Sequence, residues 1–192
     1  MTRSLCFAGG TITNCNFTRA TQATALPVRT LTDISDFVFT GNRWRSRVLR
    51  AAANTMMATD TRVADCTFTN EVTMGQINVI TCTNITYTNT VYYDQLIATT
   101  VTNPLSVWSL SSNCVNIKLD GLTFGGLTNA HPYTAILTIT AAGCTGIKLR
   151  NIGTYSVPLN LGSANATGLI YTLATGAAAS DVKIQRVYCS NT

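Results

Sequence analysis

One short phrase recurs seven times along the chain: a turn residue, an apolar residue, any residue, an apolar residue. It stands at Asn14-Cys15-Asn16-Phe17, Asp36-Phe37-Val38-Phe39, Asp65-Cys66-Thr67-Phe68, Asn84-Ile85-Thr86-Tyr87, Asn116-Ile117-Lys118-Leu119, Gly146-Ile147-Lys148-Leu149 and Asp181-Val182-Lys183-Ile184. The first apolar positions are 15, 37, 66, 85, 117, 147 and 182, so the intervals are 22, 29, 19, 32, 30 and 35 residues. Self-similarity at a period of roughly 20–50 residues marks a stack of repeats. Helical repeats hold a fixed length, and these do not. Short strands joined by variable loops fit better, because closure entropy grows slowly with loop length.

The columns carry the same reading. The turn column is Asn14, Asp36, Asp65, Asn84, Asn116, Gly146 and Asp181. Asn, Asp and Gly make up 36 of the 192 residues yet fill all seven slots, and these types tolerate left-handed backbone at a sharp bend. The second apolar column is Phe17, Phe39, Phe68, Tyr87, Leu119, Leu149 and Ile184, expected as a core stack that passes from aromatic to aliphatic. Three residues before the first apolar position runs another apolar column, Ile12, Ile34, Val63, Cys82, Cys114, Cys144 and Ala179. Two strands meeting at a tight corner, both facing one core, explain the set.

This pattern resembles the right-handed parallel β-helix of pectate-lyase-like proteins and phage tailspikes, over about residues 5–190. The resemblance implies an all-β fold: a single-stranded right-handed parallel β-helix (solenoid) of about seven rungs, as one domain over residues 1–192. It brings no catalytic signature.

Composition narrows the function classes. Charged residues are 11% and hydrophobic residues 46%, which argues against disorder. No apolar run approaches the ~20 residues that cross a bilayer, and the first ten residues lack a signal-peptide core, so no membrane partner and synthesis in a host cytoplasm are expected. The seven cysteines form no CxxC pair. Cys82, Cys114 and Cys144 share a column and are expected as reduced, buried thiols; their spacing is wrong for zinc, and no cofactor is expected. The segment 41–62 departs from the repeat and contains good helix formers, so a helical turn or two is expected there.

Two groups of residues stand out as surfaces. Lys118, Lys148 and Lys183, all the lysines of the chain, share one outward slot. Stacked like charges are unfavourable, so the column points either to an anionic partner or to a solvated guard against edge aggregation. Arg43, Trp44, Arg45 and Arg47 form a basic–aromatic patch, suited to gripping a partner subunit or a glycan, or else a solvated loop with Trp44 tucked inward. The net charge of +5 is too modest for a nucleic-acid face. Catalytic inventory is thin: one Glu (Glu71), one His (His131) and seven Asp, with Asp36 and Asp65 explained as corners.

The expected role is therefore a non-enzymatic virion-surface protein of a phage, a capsid decoration or a tail spike or fibre component. The resemblance implies a homo-oligomer, a trimer by preference, with other virion proteins and a surface polysaccharide as partners. The absence of a capping helix at either end points the same way, since open sheet edges tend to associate. The alternative is a polysaccharide-degrading lyase or hydrolase of the pectate-lyase-like group, with Tyr92, Tyr93 or Trp108 beside a carboxylate groove.

Overall fold

The computed structural model describes residues 8–19, 29–46, 56–74, 76–93, 105–125, 133–139, 143–153, 170–172 and 180–188. Among them the chain is all β, with no helix. The strands are β1 (Ala8–Thr13), β2 (Asn16–Arg19), β3 (Arg29–Thr32), β4 (Ser35–Thr40), β5 (Arg43–Ser46), β6 (Met56–Thr61), β7 (Thr67–Thr69), β8 (Val72–Met74), β9 (Gln76–Ile80), β10 (Thr83–Tyr93), β11 (Leu105–Ser111), β12 (Val115–Gly125), β13 (Tyr133–Ile139), β14 (Thr145–Gly153), β15 (Ile170–Thr172) and β16 (Ser180–Tyr188). They are rich in Thr, Val, Ile and aromatic residues, the types that fit a pleated, half-buried surface.

Two sheets result, both open and both parallel. The larger runs β1-β4-β7-β10-β12-β14-β16, with the short strands β2, β5 and β8 pairing alongside and joining β10. The smaller runs β15-β13-β11-β9-β6-β3. Each strand of the smaller sheet is followed in the chain by one on the main path of the larger, β3 by β4, β6 by β7, and so on to β15 by β16. The expected helical turn does not form at Arg43–Ser46 or Met56–Thr61, which are strands β5 and β6; neighbouring strands β2, β8, β3 and β9 supply backbone partners that override helix propensity. Residues 47–55 lie outside the described residues.

Three ladders of left-handed residues turn the chain. The first is Gly9, Asp36, Asp65, Asn84, Asn116, Gly146 and Asp181. A second lies five residues on: Asn14, Gly41, Asn70, Asn89, Gly121, Asn151 and Arg186. A third lies three residues before the first, at Asp33, Arg62, Thr81, Asn113 and Gly143, with Ser112 as an extra turn residue. Every positive-φ residue among those described belongs to one of them.

The register corrects the first row of the repeat. Strand β1 pairs Gly10 with Phe37 and Ile12 with Phe39, so the row aligned with Asp36-Phe37-Val38-Phe39 is Gly9-Gly10-Thr11-Ile12. Asn14 opens the second ladder instead, and Phe17 pairs with Trp44. The physical reason is at Gly10, where a Cβ would stand 2.6 Å from Cε1 of Phe37: that ring fills the space an apolar side chain occupies in the other rows.

From Phe39 onward the core stack forms as the columns imply. Phe39, Phe68, Tyr87, Leu119, Leu149 and Ile184 are paired in register across β4, β7, β10, β12, β14 and β16. The rings of Phe39 and Phe68 stack at 4.7 Å, and those of Phe68 and Tyr87 at 4.6 Å. Ile184 departs from the expectation of a buried core residue: it is 48% exposed, because β16 ends the larger sheet and pairs on one side only. Cys82, Cys114 and Cys144 are free and buried.

Candidate functional site

Lys118, Lys148 and Lys183 lie on one outward column, in register across β12, β14 and β16. Thr11, Val38, Thr67 and Thr86 continue that column through β1, β4, β7 and β10. Two residues on, Thr13, Thr40, Thr69 and Thr88 are followed by Asp120, Arg150 and Gln185. One broad face is thus threonine-rich in its first four rows and charged in its last three. Two lysines are partly neutralised along their own strands, Lys118 by Asp120 at 3.5 Å and Lys183 by Asp181 at 3.3 Å. Lys148 and Arg150 are exposed.

The second turn ladder borders this face and opens a groove of about 490 Å³, lined by Asn70, Asn89, Val91, Gly121, Thr123 and Asn151. The bend lies inside strands β10, β12 and β14, at Asn89, Gly121 and Asn151, so consecutive strands set these residues in one line. Val91 and Thr123 are in register beside it. Asn151 donates Nδ2–H to Oδ1 of Asp120 at 2.7 Å. Arg186 continues the ladder past Asn151 and is exposed. The sequence carries a legible signal for this ladder, a turn residue at a constant five positions after the first.

The basic–aromatic patch is divided. Arg43 is exposed, but Trp44 is 5% exposed and belongs to the core. It stacks on Phe17 at 4.1 Å and donates Nε1–H to Oε2 of Glu71 at 2.5 Å, so it grips no partner from the surface. The alternation of β5 turns Trp44 inward. Arg45 lies in β5, and Arg47 lies outside the described residues.

Behind Trp44 stands a buried polar network that the sequence pattern did not reveal. Arg29 donates Nε–H to Oδ1 of Asp60 at 3.1 Å and binds Oδ2 through a terminal nitrogen at 2.5 Å. Tyr87 donates its hydroxyl to the same Oδ2 at 2.8 Å. The Arg29 guanidinium also lies over the ring of Phe68, 4.6 Å from its centroid. Burial alone would pull the Arg29 guanidinium down, but Asp60, with Tyr87 and Glu71, holds it above its ordinary value. Burial and the adjacent Asp60 push the Tyr87 hydroxyl well up. Oε1 of Glu71 accepts both the backbone N–H and the side-chain amide of Asn42, each at 3.0 Å. Burial raises the Glu71 carboxyl, against the opposing pull of its Trp44 and Asn42 bonds.

Six of the seven carboxylates among the described residues meet a partner. Asp60 and Glu71 are buried in the network, Asp33 holds Arg62 at the surface, Asp65 accepts the Asn84 amide, Asp120 meets Lys118 and Asn151, and Asp181 meets Lys183. Trp108 is fully buried in the core. Asp94 and His131 lie outside the described residues. Among the described residues no three His, Cys, Asp or Glu converge as a metal site, and no helix is long and apolar enough to cross a membrane. In comparisons with known proteins, the chain matches no family model, no curated protein and no solved structure.

Proposed function

We propose that the two sheets are faces of one right-handed parallel β-helix of seven turns, and that the chain is a rigid, non-enzymatic structural protein of a phage virion surface. It serves there as a capsid decoration or a tail spike or fibre component, assembles with copies of itself and meets a surface polysaccharide. The observation that carries this reading is the three turn ladders, held at constant offsets through in-register parallel strands. Such a stack is stiff along its length, and parallel crossovers are right-handed in nearly all known cases. Glycoside hydrolysis needs two free carboxylates facing one bond, whereas six of this chain's carboxylates are engaged in ion pairs or hydrogen bonds, which favours the structural role over the enzymatic one.

Light scattering on the size-fractionated protein at micromolar concentration tests this. A stable trimer is the expected result. A monomer throughout that range would overturn the assembly and bring the polysaccharide-active alternative forward.

A further inference from the structure

We propose that the groove at the second turn ladder is a binding site for an acetamido sugar, the N-acetylhexosamine unit of an oligosaccharide. The proposal deepens the glycan-binding part of the function above and is independent of the oligomeric state.

The first and second ladders use their amides differently. In the first, the side chains satisfy one another: Asn84 donates to Asp65 at 2.8 Å, and Asn116 donates to Asn84 at 3.0 Å. In the second, Asn151 gives Nδ2–H to Asp120, while Asn70 and Asn89 are exposed and line the groove. Each primary amide offers two donors and a carbonyl acceptor. Successive strands repeat them at about 4.8 Å. An acetamido group carries one N–H and one C=O, so it pairs with such an amide at two points. A hydroxyl alone makes one.

The remaining lining fits the rest of that group. Val91 and Thr123 place methyl groups beside the amide row, where an acetyl methyl and the C–H face of a sugar ring lose water. Gly121 makes room for the amide row: its φ is +81°, and a Cβ there would stand 2.6 Å from Oδ1 of Asn89. The lining residues carry no ionisable side chain, and the neighbouring Asp120 is matched by Lys118. The lining itself thus offers a uronate no charged partner; the nearest cation along the ladder, Arg186, lies one strand beyond Asn151. The volume, about 490 Å³, falls within the range of small-molecule sites, roughly 300–1,000 Å³.

The test is calorimetric titration of the full chain with the trimer of N-acetylglucosamine, against cellotriose and trigalacturonate as comparators. Asn89→Gly removes the amide while keeping a residue that adopts positive φ, and Asn70→Gly does the same one strand away. Expected are binding of the acetamido trimer, at least about tenfold weaker binding of cellotriose, and a loss of about tenfold in either variant, the scale of one hydrogen bond left unmade. Unchanged circular dichroism in the variants shows that the fold is intact. Equal affinity for cellotriose, preference for trigalacturonate, no binding of the acetamido trimer, or variants that bind as well as the parent would each overturn the site. Light scattering on the same samples reads the assembly separately.

Discussion

Left-handed backbone is costly for any residue with a Cβ, by roughly 1–2 kcal/mol, so each turn residue is chosen for its conformation before its contacts. Gly146 shows both demands at once. Its φ is +68°, and a Cβ there would collide with Oδ1 of Asn116 on the preceding strand. Gly146→Ala should therefore destabilise the fold by about 1–3 kcal/mol in urea denaturation. In an Asn116→Gly background the collision disappears and only the conformational part remains, so the same change should cost measurably less. Equal costs in both backgrounds would mean that the Asn116 amide moves aside freely. A second residue-scale case is Asp60, which accepts from Arg29 and Tyr87 inside the core. Asp60→Asn leaves Arg29 buried and uncompensated and is expected to cost about 3–5 kcal/mol. Tyr87→Phe removes one hydrogen bond to a charged group and should cost about 1.5–3 kcal/mol. A near-neutral Asp60→Asn, read by the same denaturation, would show that water reaches the network. The sequence pattern reached the first ladder from Asp36 onward because Asn, Asp and Gly are rare enough to stand out, but not the second and third, which include Arg62, Thr81 and Arg186. It missed Arg29 and Asp60 because their meeting, across 31 residues, follows no local spacing.

At the scale of the element, the phrase that made the repeat visible is the strand that leaves the first ladder. Its apolar residues alternate with outward ones, so one face had to be buried. Among strands of the smaller sheet, the alternation from Ala135 onward marks β13, while β9 was less legible, since its apolar run lacks a turn residue at a fixed offset on the incoming side. The first row misled for a particular reason: Gly10 hides its place behind the ring of Phe37, while Cys15 and Phe17 imitate the pattern one turn later. The cysteine column did follow from the sequence, and it carries a prediction. Cys82 lies between Val63 and Cys114 in the stack, and burial pushes its thiol up to about 11. Alkylation proceeds through the thiolate. At pH 8, therefore, iodoacetamide should modify Cys82 in the folded protein about a hundredfold or more slowly than in the unfolded one, where an ordinary thiol titrates near 8.5. Peptide mapping after timed quenching reads the ratio; comparable rates would mean that this column opens to solvent in the native state.

Across the whole molecule, the described ladder pairings are parallel, and none is a hairpin. Even a closely spaced pair, Phe68 with Tyr87, joins residues 19 apart in the chain, and Ile152 with Val187 joins residues 35 apart. A parallel partner can be reached only after the intervening strand of the other sheet has been placed, so loop-closure entropy must be met before the stacked core rewards it. The interior adds a second constraint. Its early rows carry rings and the Arg29–Asp60 pair, and its later rows carry Ile117, Leu119, Ile147 and Leu149, so a row slipped by one level would set charge against aliphatic side chains. The constraint makes the register specific and the search slow. Refolding by dilution from urea, followed by tryptophan fluorescence, should therefore relax over milliseconds to seconds or longer, at the slow end for a domain of this size. Because Trp44 and Trp108 are both buried, their emission reports closure of the rows around them. A relaxation complete within microseconds would show that local structure, not the pairing of distant strands, limits folding, and would remove the argument that the stack forms as one interdependent unit.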